Sequence, residues 1–70
     1  MQRIYFANIP LSQELIITEK NLYHQITRVL RARAGQKYIF FDGKSTQDYV
    51  YEIQSIDAKK VVFILQEKLQ

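Results

Sequence analysis

The chain has 70 residues, no cysteine and a formal net charge of +3. This length corresponds to one small domain, and without cysteine that domain holds no disulfide and no thiolate metal site. Hydrophobic residues make up 47% of the sequence, which is enough for a packed core and excludes intrinsic disorder. No apolar run reaches the roughly 18–20 residues of a membrane span, and no signal-peptide pattern is visible, so we expect a cytoplasmic protein.

Two short strands are predicted first. Residues 3–6 combine isoleucine with aromatic side chains, and Pro10 ends this stretch because proline cannot donate to a β-ladder. Residues 15–18 are mostly β-branched and predict a second strand.

A helix is predicted from about residue 19 to residue 31, because the apolar spacing becomes i, i+4, i+7 and i+8. The residues of this apolar stripe are Leu22, Ile26, Val29 and Leu30. Thr18 and Asn21 are the candidate N-caps, and Gly35 is the candidate stop near the other end. The sequence therefore predicts one amphipathic helix packed against the strands.

Two further strands are predicted after the helix. Residues 38–41 are aromatic and β-branched, and Asp42-Gly43 is a turn dipeptide that predicts a tight connection to the next strand. Residues 49–56 alternate, and this alternation puts Tyr49 and Tyr51 on one face together with Ile53.

The last strand is predicted over residues 60–65, after a hairpin turn at residues 57–59. Both of its sides are apolar, so we expect it to be covered on both faces. Five short strands cannot form two separate sheets, whereas curling into one barrel removes exposed edges. The sequence therefore predicts a mainly β (α+β) fold, a small five-stranded, partly open barrel with one helix in the order β-β-α-β-β-β.

Basic residues gather on one side of the predicted helix. His24, Arg28 and Arg31 are spaced i, i+4, i+7 and face away from the apolar stripe. Arg33 and Lys37 follow, and Lys44 and Arg3 extend the set if the barrel brings them close. Arginine suits phosphate because its planar fork donates two parallel hydrogen bonds. By periodicity alone this pattern is found more often on a solvated helix face than on a nucleic-acid surface. The absence of acidic residues from the stripe favours the nucleic-acid surface.

Other candidate residues have two readings each. Asp42 either bonds its own turn or orients an arginine. Tyr5, Tyr49 and Tyr51 either belong to the core or offer a stacking platform for unpaired bases. We find no nucleophile with a base beside it, no metal-ligand cluster and no glycine-rich phosphate loop in the sequence. We therefore expect no catalytic or metal site in this chain.

Four stretches, taken in order, resemble the N-terminal domain of the RsmE family of ribosomal RNA methyltransferases. They are MQRIYF (residues 1–6), HQITRVLR (24–31), AGQ (34–36) and FFDG (40–43). The resemblance implies a PUA-like barrel over residues 1–70 that recognises RNA. It also implies that Arg3, His24, Arg28 and Arg31 face the RNA.

The family methylates N3 of a uridine in 16S ribosomal RNA with S-adenosylmethionine. The resemblance implies that a C-terminal SPOUT domain carries the cofactor and forms a homodimer, and that this domain is absent from the 70 residues. We accordingly expect no cofactor in this chain and the small ribosomal subunit as partner. Together with Arg33 and Lys44, the four residues above form the expected RNA-binding set. The alternative is a protein-interaction barrel that docks through Tyr49 or Tyr51 and has no RNA affinity.

Overall fold

The computed structural model of the chain describes residues 1–10 and 12–69. Its strands are β1 (Arg3–Tyr5), β2 (Glu14–Ile17), β3 (Lys37–Phe41), β4 (Asp48–Ile56) and β5 (Val61–Leu69). After β2, a short α-helix, α1 (Lys20–His24), continues directly into a π-helical segment, Gln25–Val29. The predicted mainly β fold and the order β-β-α-β-β-β are confirmed.

The strands form one mixed sheet in the order β1-β3-β4-β5-β2. β1 runs parallel to β3, and the other neighbours are antiparallel. The register between β4 and β5 shifts at Val50/Tyr51 and again at Ile53/Ser55. Such bulges bend and twist a strand, so these two nine-residue strands curl the sheet into a half-barrel.

The concave face of the sheet holds an aromatic core. Phe40, Tyr51 and Phe63 are fully buried, and the Phe40 ring lies 5.3 Å from the ring of Tyr51 and 4.9 Å from that of Phe63, edge to face in both cases. This arrangement stabilises aromatic clusters beyond the area they bury. Ile53 is also buried in this cluster and Tyr49 packs against it, which confirms the predicted face of β4.

β5 is covered on both faces over its first residues. Val61 and Phe63 belong to the core, whereas Val62 is buried outside the core cluster. The prediction of a doubly covered last strand is confirmed there, although β5 continues to Leu69, four residues beyond the predicted end.

The helix begins with Glu19 as its N-cap, so the prediction of Thr18 or Asn21 is wrong. The two carboxylate oxygens of Glu19 accept hydrogen bonds from the backbone N–H of Asn21 at 2.9 Å and of Leu22 at 3.0 Å. Both N–H groups lie in the first turn, where no intrahelical acceptor exists. A carboxylate with two oxygens satisfies both of them at once.

The helix ends at Val29, two residues before the predicted end, because its last turn is π-helical. A π turn contains more residues than an α turn, so each residue advances by a smaller angle. Leu30 therefore turns toward the core, and Val29 turns outward and is 74% exposed. The predicted apolar stripe is correct for Ile26 and Leu30 and wrong for Val29. Gly35 does not stop the helix, since the chain leaves it at Arg31, which has a φ of 53°.

The connection from β3 to β4 is longer than predicted. Residues 42–47 separate the two strands, so Asp42-Gly43 does not form a two-residue hairpin. Asp42 does bond its own turn, because its Oδ1 accepts from the N–H of Lys44 at 2.9 Å and of Ser45 at 3.1 Å. These two hydrogen bonds hold the pKa of Asp42 below its ordinary value.

Candidate nucleic-acid interface

The helix is fixed to the rest of the barrel through Tyr23. Its hydroxyl donates to the carbonyl oxygen of Asp57 in the β4–β5 hairpin. Its ring lies 5.8 Å from the ring of His24, which is half-buried. Arg28 follows four residues later and is exposed. In this segment residues four apart share a side, so His24 and Arg28 lie on the same side of the helix.

Arg31 occupies the exit from the helix. The N–H of Leu30 donates to the carbonyl of Gln25 at 2.9 Å, and the N–H of Ala32 donates to that of Ile26 at 3.0 Å. This pattern is a Schellman-type end widened by one residue, and the residue it encloses has a left-handed backbone, usually that of glycine. A residue with a Cβ costs about 1–2 kcal/mol there. The prediction that Arg31 continues the helical face is therefore wrong; its side chain is exposed just beyond the helix.

Arg33 lies in a turn that is attached to β4. Gln36 closes the turn, since its side-chain oxygen accepts from the N–H of Arg33 at 2.9 Å and from the Tyr38 hydroxyl at 3.0 Å. The N–H of Gly35 donates to the carbonyl of Ile53 at 2.8 Å. With Ala32 buried between them, Arg31 and Arg33 are both presented to solvent. We call His24, Arg28, Arg31 and Arg33 the helix cluster.

Within the described residues, no carboxylate forms an ion pair with a cation of the helix cluster. The sequence has no acidic residue between Glu19 and Asp42, whereas it has five lysines and arginines there, Lys20, Arg28, Arg31, Arg33 and Lys37. Over residues 1–10 and 12–69, the ion pair found within 4.0 Å is that of Arg3 with Asp48. The arginines of the helix cluster are therefore available to an anionic partner.

Arg3 belongs to a different part of the surface. Its Nη1 donates to Oδ2 of Asp48 at 2.7 Å, and its guanidinium carbon lies 4.7 Å from the centre of the Phe41 ring. These contacts attach Arg3 to β3 and β4, and a carboxylate offsets its charge. Lys44, in the loop after Phe41, is exposed. The expected set thus divides into the helix cluster and a separate pair of Arg3 and Lys44.

The three tyrosines considered as stacking platforms differ in exposure. Tyr51 is fully buried, and its hydroxyl has no hydrogen-bond partner in the described part of the chain. Burial raises its pKa. Tyr49 is half-buried against the core, whereas Tyr5 is 56% exposed. Docking of a partner on Tyr51 is therefore ruled out, and Tyr5 keeps the role of candidate platform.

A groove that the sequence did not predict lies between the end of β1 and the start of the helix. Its volume is about 320 Å³, within the range of roughly 300–1,000 Å³ usual for small-ligand clefts. It is lined by Tyr5, Phe6, Ala7, Glu19, Asn21, Leu22 and Gln25. The groove depends on the pairing of β1 with β3, which the sequence gives no local signal for.

Neither a metal site nor a membrane helix is visible in the described residues. No group of three or more His, Asp or Glu side chains there is arranged to hold a metal ion. No described helix combines the length and the apolar character needed to cross a bilayer.

Comparison with solved structures identifies the fold. Ribosomal RNA small subunit methyltransferase E from Neisseria gonorrhoeae, bound to S-adenosyl methionine, matches 99% of this chain with a TM-score of 0.79 at 20% identity. A putative methyltransferase from Legionella pneumophila in complex with its cofactor matches 96% with a TM-score of 0.81 at 22% identity. A probable rRNA-methyltransferase from Porphyromonas gingivalis matches 99% with a TM-score of 0.77 at 23% identity.

The chain spans a little over a quarter of each of these proteins, 28%, 27% and 27% of their lengths respectively. At this level of identity the likeness establishes a shared fold. No family model matches the chain, and no curated protein matches its sequence. The half-barrel described above is therefore a fold that recurs as one part of longer methyltransferase structures.

Proposed function

We propose that these 70 residues form the RNA-recognition domain of a methyltransferase of the RsmE type. In this proposal the domain is a PUA-like barrel, and the parent enzyme methylates N3 of a uridine in 16S ribosomal RNA with S-adenosylmethionine. The likeness to three methyltransferase structures over nearly the whole chain supports the proposal. Its RNA would be the small-subunit ribosomal RNA, encountered in the cytoplasm.

The cofactor and the homodimer interface belong to the rest of the parent protein in this proposal. We assign no S-adenosylmethionine ligand within this chain, because it covers less than a third of the structures that hold the cofactor. What this chain contributes is binding and orientation of the RNA. That contribution needs cations that are not held in internal ion pairs, and in the described part of the chain the arginines of the helix cluster form none.

The observation that carries the proposal is the place of Arg31. It has the left-handed backbone that favours glycine, and its exposed guanidinium forms no ion pair within residues 1–10 and 12–69. Strained backbone residues occur preferentially at functional sites, where the strain positions a side chain. With Arg28 before it and Arg33 after it, Arg31 forms a basic surface that suits several consecutive phosphates.

The proposal is tested by titrating a fluorescently labelled, structured fragment of 16S ribosomal RNA with the chain at two salt concentrations. Release of counterions should weaken binding as salt rises, with a slope that falls by roughly 0.7–0.9 for each phosphate contact removed. We expect the Arg28→Ala/Arg31→Ala variant to bind weakly with a shallower slope. The Lys59→Ala/Lys68→Ala variant removes the same charge from exposed positions outside the cluster and serves as the control.

Equal binding by the wild type and the arginine variant at moderate salt would sink the proposal. An equal loss in both variants would also contradict it, because net charge rather than the helix cluster would then determine affinity. Circular dichroism of each variant checks that the fold is retained.

A further inference from the structure

We propose that the groove beside Tyr5 binds one unpaired RNA base, which stacks on the Tyr5 ring and is hydrogen-bonded by Asn21 and Gln25. This inference rests on the proposed RNA-binding function and extends it. It names the form of RNA recognised, a single-stranded nucleotide, and a second contact surface apart from the helix cluster.

Tyr5 is held in place although its ring is exposed. Its ring and that of Phe41 pack edge to face, with 5.8 Å between the ring centres. The loop at Gly43 also lies close to this ring, since a Cβ built on Gly43 would lie 3.1 Å from Cε1 of Tyr5. Gly43 also has a φ of 74°, so glycine is favoured there on both grounds. A ring that is already fixed loses little conformational entropy when a base stacks on it.

The opposite wall of the groove offers free amide groups. Asn21 and Gln25 are four residues apart on the helix, exposed, and line the groove. Within the described residues, neither side-chain amide takes part in a hydrogen bond. A carboxamide presents a donor and an acceptor side by side and therefore matches the edge of a base. Phe6 and Leu22, packed against the core, supply the apolar floor.

The charges around the groove favour binding of an uncharged base inside it and of phosphate groups outside it. The Glu19 carboxylate lines the groove, and its negative charge disfavours a phosphate there. A cation is close in sequence to each wall: Lys44 follows Gly43, which is next to Tyr5, and Arg28 follows Gln25 by three residues. A strand whose backbone contacts Lys44 and Arg28 would thus turn one base into the groove. A continuous duplex keeps its bases stacked and cannot do this.

The test uses nuclear magnetic resonance titration of the isotope-labelled chain with hexaadenylate, hexauridylate and a stable, fully paired, GC-rich RNA duplex. We expect the side-chain amide signals of Asn21 and Gln25 to shift with the single strands and not with the duplex. Tyr5→Ala should weaken binding of the single strands by roughly 5- to 150-fold, the range found for removal of one base-stacking aromatic ring. Tyr5→Phe keeps the ring and should bind like the wild type.

Two matched controls separate the groove from general effects. Gln54→Ala removes an exposed amide from β4, and Val29→Ala trims an exposed apolar side chain on the helix; neither should change binding. If Tyr5→Ala binds the single strands as tightly as the wild type, or if the duplex shifts the same amide signals, the groove inference is overturned. The proposed function is judged separately by Arg28→Ala/Arg31→Ala on the structured fragment. Failure of the wild type to bind any RNA overturns both.

Discussion

The backbone N–H of Ala32 donates a 3.0 Å hydrogen bond to the carbonyl oxygen of Ile26, and both residues are buried in the core. This bond closes the widened end of the helix and fixes the direction in which the chain leaves it. Of the two residues between the helix and Ala32, Leu30 keeps a right-handed backbone and Arg31 has the left-handed one.

Replacing Arg31 with glycine should weaken RNA binding without lowering the free energy of unfolding. Glycine removes a strain of about 1–2 kcal/mol and adds back roughly 0.5–1 kcal/mol of unfolded-state entropy. We therefore expect the free energy of unfolding of Arg31→Gly to be unchanged or higher by up to about 1.5 kcal/mol, and its RNA affinity to fall. Urea denaturation measures the first quantity and anisotropy titration the second.

Arg28→Gly is the matched control for that experiment. Arg28 lies inside the helical segment, where glycine is destabilising by roughly 0.5–1 kcal/mol. Both variants should bind RNA less tightly, whereas only Arg28→Gly should unfold more easily. A clear loss of stability in Arg31→Gly would contradict the assignment of its backbone.

The ion pair with Asp48 reduces the positive charge that Arg3 offers to a partner, at the end of the barrel away from the helix cluster. Asp48→Asn should leave Arg3 stacked on Phe41 while freeing its charge for phosphate. Because a partly exposed ion pair contributes at most about 1 kcal/mol, the fold should be retained. We expect tighter RNA binding and a salt slope steeper by up to about 0.9, the value for one added phosphate contact.

Glu14→Gln provides the comparison for Asp48→Asn. It makes the same change in net charge at an exposed position on β2, the opposite edge strand of the sheet. Equal gains in affinity from both variants would show that Arg3 has no specific role in the interface.

The barrel should lose stability in acid when the carboxylate of Asp57 becomes protonated. Its carboxylate accepts from the N–H of Lys59 at 2.8 Å and of Lys60 at 2.9 Å, and these bonds hold its pKa below the ordinary 3.8. A carboxylate whose pKa is lowered by folding stabilises the fold at pH values above its ordinary pKa. This stabilisation is lost as the pH falls through the lowered pKa. Asp42 adds to the same effect.

Asp57→Asn keeps an oxygen acceptor for the turn but does not titrate. Its melting temperature should therefore decrease less than that of the wild type when the pH is taken below 3.8, the ordinary aspartate value. Asp57→Ala should be less stable at neutral pH as well, because both N–H groups lose their acceptor. Identical acid profiles for the wild type and Asp57→Asn would refute the role given to this carboxylate.

Removing the buried hydroxyl of Tyr51 should not destabilise the core. That hydroxyl lacks a protein partner in the described residues, and an unsatisfied buried polar group costs about 1–3 kcal/mol. We expect Tyr51→Phe to be as stable as the wild type or more so. Tyr38→Phe should instead lose about 0.5–1.5 kcal/mol, because the Tyr38 hydroxyl donates to Gln36 at 3.0 Å. Thermal melts that reverse this order would contradict the core described here.

The strands could be predicted from the sequence because their signals are local. Alternation over residues 49–56 identified the buried face of β4, and β-branched content identified β2. The course of the helix end was not predictable in this way. No sequence pattern in residues 24–31 predicts a π turn, and no glycine marks the end of the helix at Arg31. The wider turn is evident only from the structure, in which Ile26 and Leu30 both contact the core.

Long-range pairing explains what the sequence missed in the site. Arg3 and Asp48 are 45 residues apart, so their ion pair follows from the strand register and from no motif. The groove likewise arises where β1, paired with β3, faces the start of the helix. The helix cluster was predictable because its members are close in sequence, although Arg31 lies beyond the helix rather than on its face.

The most direct measurement maps the RNA onto the barrel through the backbone amide chemical shifts of the isotope-labelled chain mixed with a structured 16S ribosomal RNA fragment. If the barrel binds RNA as proposed, the largest changes will be at residues 24–33, with further changes around Tyr5 and little change around the exposed Ile16 on β2. Changes confined to the surface around Ile16, or no change anywhere at saturating RNA, would contradict it.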